Sequence, residues 1–487
     1  MRRYLIITVT AGEGHNSMAK AIREKLEQDP NNEVKVIDIF KAYGKPGKVS
    51  FINDGYISAC KFALPIYNLV FRNMQLISPS EKNNSIAQSW LEYETPLLVN
   101  DIYSFKPDVI IGTHFYSGIM ITNLKKRFPI PAKVISLLTD YTVHPFHECA
   151  TGIDYLITPT ELLHPQLEFK GYRNEQLVPL GIPVREQFSI EIPKATARKQ
   201  LEIDENMFTC FVSIGGGGFG GSDKILKKLL KIKKPIQIIV VNGRNKDAFK
   251  RIEFIKEYNN THHKIINYGF VNNIDVIMSA SDCIVGKCGA TVLNEALNKR
   301  KVLILNDKLA QQEYDNMMYL TVNSACIRVS KEFPVELIVE RLTEHPEIIT
   351  RIEKQIDKIR RPNALEEICN FVSTLEASPY PDKKYQLSKA EIKKLRQDIK
   401  KINNIETQTI KENLKIQKQV DKLSKDKVVL KAEKKQSKEK QEDLKSRMRK
   451  TKSTIYTNPQ SITDNTSNIL GVDSLKPRNI FSKKKTY

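Results

Sequence analysis

Several features that would place a chain in a large functional class are scarce here. The 487 residues hold seven cysteines (Cys60, Cys149, Cys210, Cys283, Cys288, Cys326 and Cys369), an odd, scattered set that is nowhere spaced C-x2-C. That argues against a disulfide framework or a cysteine-ligated zinc site and for reduced thiols in a cytosolic protein. No stretch approaches the roughly 20 uninterrupted apolar residues of a spanning helix. The apolar run behind Arg2 and Arg3 is ended by Thr8, Thr10 and Glu13, too soon for a signal sequence. Any membrane contact is therefore expected to be peripheral. No glycine loop ends in GK[ST], so a P-loop triphosphatase is not expected. No DxD pair stands at a strand end to hold a divalent cation, and no metal or cofactor is expected.

Charge is present but unevenly placed. The formal balance is +21. From Lys383 onward, 29 lysines and arginines stand against 12 acids, which leaves only about +4 on residues 1–382. The body is nearly neutral and the tail is basic. No nucleic-acid recognition module accompanies that tail, so a nucleic-acid partner is not expected.

Within the body, short β-branched runs alternate with longer amphipathic segments, the pattern of parallel sheets flanked by helices. YLIITVT (4–10), EVKVIDI (33–39), DVIIGTH (108–114), KVISLLT (133–139) and YLITPT (155–160) read as strands of a first half. FTCFVSI (208–214), PIQIIVVNG (235–243), HKIINYGF (263–270), DCIVG (282–286) and KVLILN (301–306) read as strands of a second. The expected fold class is α/β, with two Rossmann-like domains at 1–185 and 186–375, a Lys-rich tail at 383–452 and a disordered basic end at 453–487. In such folds ligands bind beyond the carboxyl ends of the strands, so the chemistry is expected in a cleft between two rows of loops.

Four loops at those ends carry candidate residues. SIGGGGFGGSD (213–223) lies between a strand and a helix and suits a diphosphate, because bare backbone N–H groups and a helix N-terminus favour an anion; a merely flexible loop is the alternative. VGKCGATVLNEAL (285–297) has Gly289, Ala290 and Thr291 opening a helix and Glu295 one turn in, placed to accept from a ribose diol or simply solvated. In LNDKLAQQEYDNMMYL, Gln312, Glu313 and Asn316 form a polar cluster suited to sugar hydroxyls or to a capped surface helix. AGEGHNSMAKAI (11–22) puts His15 at the mouth of a helix, where a histidine of ordinary pKa about 6.5 can act as a base.

Taken together, TAGEGH, LLTDYTVHPFH, ITPTEL, VPLGIPVREQF, SIGGGGFG, GKCGATVLNEAL and QEYDN resemble, in order and spacing over about residues 1–375, the glycosyltransferase family that contains processive diacylglycerol glucosyltransferases and monogalactosyldiacylglycerol synthases (glycosyltransferase family 28). The resemblance implies a GT-B architecture and an inverting, metal-independent transfer of a hexose from a UDP-sugar to a diacylglycerol hydroxyl. It implies that Gly216, Gly217 and Gly218 border the diphosphate, that Val271 clamps the uracil, that Glu295 holds the ribose, and that Gln312 and Glu313, with Asn316 alongside, hold the sugar. On the acceptor side Gly14 and His15 match the glycine-flanked histidine, and Asp140 and His144 match the TD-x-x-x-H signature. His15 is expected as base with Asp140 assisting. The chain departs from the family's frequent GQE at Gln311-Gln312-Glu313 and carries His147 where an aromatic is common, which bears on the identity of the sugar. Another lipid-linked acceptor, such as a cell-wall precursor, and an inactive scaffold of the same fold are the alternatives.

A lipid acceptor requires docking, and the expected location is peripheral, on the inner face of the cell membrane. The stretch 56–77, YISACKFALPIYNLVFRNMQLI, with Phe62 and Val70 on it and only Lys61 and Arg72 charged, reads either as an interfacial segment or as a core helix pair broken at Pro65. In the tail, Ile392, Leu395, Ile399 and Ile402 follow a coiled-coil spacing that then slips, so a homo-oligomeric coiled coil, a basic helix on an anionic membrane surface and a disordered segment all stay open.

Overall fold

Twelve parallel strands in two sheets organise the described residues, and both sheets owe their burial to the runs that mark them in the sequence. The computed structural model describes residues 1–10, 13–43, 68, 95–213, 221–287, 289–305, 310–382, 386–397, 439, 442, 443 and 446. The first sheet comprises β1 (Arg2–Thr8), β2 (Asn32–Asp38), β3 (Val109–Gly112), β4 (Lys133–Leu137), β5 (Tyr155–Ile157) and β6 (Leu177–Val178), in the order β2-β1-β3-β4-β5-β6. The second comprises β7 (Thr209–Ser213), β8 (Gln237–Val241), β9 (Lys264–Tyr268), β10 (Cys283–Gly286), β11 (Val302–Leu305) and β12 (Cys326–Arg328), in the order β12-β11-β10-β7-β8-β9. This is the two-sheet GT-B architecture the resemblance implies.

Strands such as VIIG, QIIVV and VLIL are buried along their whole length, as strands covered by helices on both faces must be. All ten expected strands form. Two of the four edge strands, β6 and β12, go unseen in the sequence because two and three residues are too few to show a period.

In each sheet the chain reverses its direction of winding at one place, between β1 and β3 in the first and between β7 and β10 in the second. Loops part at such switch points and leave a crevice at the carboxyl ends. At the second switch point Gly286 is obligatory in size, since a Cβ there would run into the backbone carbonyl of Ser213 on the paired strand.

Residues Met1–Glu406 form one compact unit. The helix Ala364–Thr374 belongs to the first sheet's core, where Leu365, Ile368, Cys369 and Val372 pack with Tyr4, Ile6, Ala19 and Ile22. Past it, Tyr380 packs edge-on against Tyr103, and Asn100 bonds Leu387 both ways at 2.9 and 2.8 Å, so the start of the basic tail is tied to the first half. Among the described residues no helix is long and apolar enough to cross a membrane. The stretch 56–77, apart from Asn68, and nearly all of the tail beyond residue 397 lie outside the described residues.

Candidate active site

The loop after β1 is drawn tightly over the first switch point. Thr8 Oγ1 donates to Asn16 Oδ1 (3.0 Å), Asn16 Nδ2 donates to Thr10 Oγ1 (3.0 Å), and the Thr10 hydroxyl donates to Asp38 at the end of β2. Thr113, just past β3, donates its hydroxyl to Thr8 Oγ1 at 2.9 Å. These bonds place the helix Glu13–Leu26 so that His15, in its first turn, reaches the carbonyl of Thr113 with Nδ1 at 2.7 Å. A carbonyl only accepts, so Nδ1 carries the proton and Nε2 keeps a free lone pair. Burial lowers the His15 pKa below its ordinary value, against the opposing effect of the Thr113 carbonyl. The positive end of the helix acts in the same direction. The lowered pKa favours a neutral His15, with the proton on Nδ1.

Around it stands a wall of rings. His114 meets His15 edge-on with centroids 4.5 Å apart, Phe115 lies 4.2 Å from His114, and His144 stacks on Phe115 at 4.2 Å. His114 caps the helix Phe115–Lys125 by accepting from the Tyr116 N–H at 3.1 Å, and His144 accepts from the Phe146 N–H at 3.3 Å. Burial, then the neighbouring His15, His144 and His147, push the His114 pKa well down. His147 is fully buried, its Nδ1 has no hydrogen-bond partner, and burial with Lys170 nearby lowers its pKa to about 3. His114 and Phe115 were not singled out from the sequence. The available signal was the position of His114 at the carboxyl end of the strand DVIIGTH, beside the switch point.

Asp140, after β4, does not bond to His15 among the described residues. Its Oδ1 accepts from Asn316 Nδ2 at 2.7 Å, and Asn316 Oδ1 accepts from the Tyr141 N–H, also at 2.7 Å. Tyr141 stacks on Tyr319 at 4.1 Å and donates its hydroxyl to Asn294 (2.9 Å), while Thr142 donates to Asp315 (3.1 Å). The segment LLTDYT of the first half is thus fastened to the helices Ala290–Asn298 and Gln311–Val322 of the second. Burial, opposed by Asn316 and helped by Asp315, raises the Asp140 pKa. Both ends of the Asn316 amide are occupied by this fastening.

On the second half, Gly289 is the N-cap of the helix Ala290–Asn298 and supplies no side-chain bond to the first turn. The N–H groups of that turn are the kind of site that binds an anion. Glu295, one turn in, is buried and pairs with Arg185 at 3.4 Å; burial outweighs that pairing and raises its pKa to about 7. Glu313 is also raised by burial, with Lys287 opposing. Gln312 is half-buried beside it. Val271 packs half-buried against the second core, next to Phe270, whose exposed ring lies 5.2 Å under the Arg244 guanidinium. Gly216, Gly217 and Gly218 fall outside the described residues, as do Phe62 and Val70. Among the described residues no group of three or more His, Cys, Asp or Glu side chains is placed to hold a metal ion.

The two halves meet at Gly14 and Thr291. A Cβ on Gly14 would lie 2.5 Å from Thr291 Oγ1, so only glycine fits there without displacing the threonine. The neutral imidazole of His15 therefore follows directly on the residue that meets the first turn of a helix on the opposite sheet. Such a juxtaposition can take a proton from one group while a developing negative charge settles on another.

Comparison with known proteins bears on what those groups are. Residues 15–184 match the family model of monogalactosyldiacylglycerol (MGDG) synthase, and residues 211–368 match that of the glycosyltransferase family 28 C-terminal domain. The chain is 24% identical over 370 residues to the processive diacylglycerol beta-glucosyltransferase of Bacillus thuringiensis (strain Al Hakam), covering 76% of this chain and 93% of that protein. The same figures hold for the protein of that name from Bacillus cereus (strain AH820). Among solved structures, MurG of Acinetobacter baumannii superposes with a TM-score of 0.50 at 12% identity, covering 76% of this chain and 99% of that one, a likeness of fold alone.

Proposed function

Since the chain belongs to the glycosyltransferase family of the MGDG synthases and processive diacylglycerol glucosyltransferases, we propose that it transfers a hexose from a UDP-sugar to the hydroxyl of diacylglycerol at a membrane surface. The observation that carries the reading is the tether of His15 Nδ1 to the Thr113 carbonyl, which leaves Nε2 as a neutral base beside the helix N-terminus at Gly289.

The reaction follows from that placement. The acceptor hydroxyl oxygen attacks the anomeric carbon as its proton passes to His15 Nε2; the new C–O bond forms as the bond to the diphosphate breaks, and UDP departs with the electron pair. Attack opposite the leaving group inverts the anomeric centre. Backbone N–H groups at the helix N-termini after β7 and β10 take the charge of the leaving diphosphate, the work a cation would otherwise do. The glycine run Gly216, Gly217 and Gly218 lies in the sequence between β7 and the first of these helices. Glu295 accepts from the ribose diol, Gln312 and Glu313 hold the sugar hydroxyls, and Val271 covers the uracil. Asp140 works through position, keeping the acceptor loop locked to the donor half by way of Asn316. The rings of Phe115 and His144 form an apolar flank suited to the glycerol and first acyl carbons of the acceptor.

The test is incubation of the full-length protein with labelled UDP-glucose, UDP-galactose, UDP-N-acetylglucosamine or UDP-glucuronic acid and diacylglycerol vesicles, followed by lipid extraction. One labelled glycolipid with inverted anomeric configuration supports the reading. Absence of transfer with all four donors would sink it.

A further inference from the structure

The second half carries a surface that the transfer reaction does not use. The helices Ser222–Leu229 and Lys246–Tyr258 lie side by side, and residues 222–258 hold eleven lysines and arginines against four acids. That surplus of seven exceeds the roughly four of the whole body 1–382, so the rest of the body is slightly acidic and its net positive charge is concentrated in this stretch, which supplies Lys227, Lys250 and Arg251 to one face. Between the helices runs a groove of about 330 Å³ lined by Asp223, Lys227, Lys250, Arg251, Phe254 and Ile255. Asp223 faces Arg251 at 3.8 Å, while Lys227 and Lys250 have no acidic partner among the described residues. At its end two aromatic rings are left in solvent: Phe254 is 61% exposed and Tyr258 68%, their centroids 4.5 Å apart.

Lysines and an arginine at one level with exposed aromatics one turn further along fit a bilayer interface. The rings enter the headgroup layer and the flexible cations meet phosphates there. Resting on the reading that the acceptor is a membrane lipid, we infer that this face docks on an anionic phospholipid surface, with Lys227 and Lys250 taking a headgroup phosphate in the groove. Charge rules out the chain's own Lys-rich stretch 383–452 as the occupant, since like charges would face each other. Its residues are separate in sequence from the stretch 56–77 and from the tail, and it places the donor half against the bilayer.

The experiment places an indole at the face in the full-length protein. Trp90 is the chain's single tryptophan, so Trp90→Phe with Phe254→Trp reports on one position. Its fluorescence is read with vesicles of brominated phosphatidylglycerol and of brominated phosphatidylcholine. At least a twofold quenching by the anionic vesicles, little by the neutral ones, and loss of that quenching on adding Lys227→Glu and Lys250→Glu support the inference. Lys227→Gln with Lys250→Gln gives a smaller loss in the same direction. Vesicles that sediment with the protein while the indole stays unquenched would show docking through another surface and overturn it. Equal quenching by neutral vesicles, quenching unaffected by the lysine changes, or an indole that responds to a single-stranded oligonucleotide and not to vesicles would overturn it too. Sugar transfer to diacylglycerol in neutral detergent micelles needs no charged surface, and the lysine variants keep it at the wild-type level. Its absence in the wild type with quenching intact would strike the functional reading and leave this one standing.

Discussion

Asn316 clasps Asp140 across the two halves, giving a hydrogen bond to its carboxylate and taking one from the next residue's N–H, both at 2.7 Å. Asn316 is fully buried and Tyr141 nearly so, so removing the amide leaves the Tyr141 N–H without a partner and takes one hydrogen bond from the half-buried Asp140. Asn316→Ala is expected to cost about 1–3 kcal/mol of stability. Asn316→Asp cannot donate to Asp140 at neutral pH and sets two carboxylates together, so it should cost more than alanine at pH 8 and less at pH 5. Denaturant unfolding at the two pH values checks the order.

That clasp also shows where sequence reading stops. The buried β-branched runs made the two sheets and their order of loops legible, because parallel strands covered on both sides have little compositional freedom. Asn316 was legible as a polar residue near the site, but its partner stands 176 positions earlier in the chain, and nothing in local spacing signals a bond of that reach. His114 was hidden for a related reason. Its edge-on contact with His15 exists only because β1 and β3 are neighbours in the sheet, and the order of strands in space is not their order in the chain. His15 could be singled out, since a histidine flanked by glycine at a strand-to-helix turn belongs to a recognisable motif.

His147 contributes a pH dependence of stability. Its folded pKa of about 3 lies below the ordinary 6.5, so the unfolded chain binds the proton more readily. Its contribution is whole above pH 6.5 and falls by about 1.4 kcal/mol per pH unit below that. His147→Phe keeps a ring beside Phe115 and removes the titration. The variant should unfold at a pH-independent midpoint relative to the wild type above pH 6.5 and become progressively more stable relative to it from pH 6.5 to 5. Thermal melts over that range provide the measurement.

Glu295 works in the opposite direction. Its pKa is raised to about 7 from 4.5, so the folded state holds a proton that the unfolded state releases between those values. Stability is lost as pH rises from 4.5 to 7, by about 3 kcal/mol at most, and is level beyond. Glu295→Gln abolishes that slope, and its melting temperature should cross above the wild type's near neutrality. The same change weakens UDP binding about tenfold at pH 8, where the carboxylate is ionised and accepts best, and less at pH 6. Isothermal titration with UDP at both pH values separates the effects.

Gly14 and Thr291 should show coupled mutational effects. Alanine at position 14 gains helix propensity of about 0.5–1 kcal/mol but puts its Cβ 2.5 Å from Thr291 Oγ1. Gly14→Ala is expected to lower the rate of transfer by pushing the two loops apart. Adding Thr291→Ala removes the obstructing hydroxyl and should recover part of the loss, an interaction of roughly 0.5–3 kcal/mol in a double-mutant cycle on kcat/KM. Additive effects would mean that the two residues do not meet in solution.

The most direct test of the central claim is single-turnover transfer from a labelled UDP-hexose to dispersed diacylglycerol by the wild type and by His15→Ala. With His15 as the neutral base, the wild type forms labelled glycolipid with an acid limb below pH 6.5, because burial holds the His15 pKa under its ordinary value. The variant loses about 10²–10⁴ in rate and binds UDP as before. A His15→Ala enzyme that transfers at the wild-type rate, or a wild type that labels no lipid, would contradict the account.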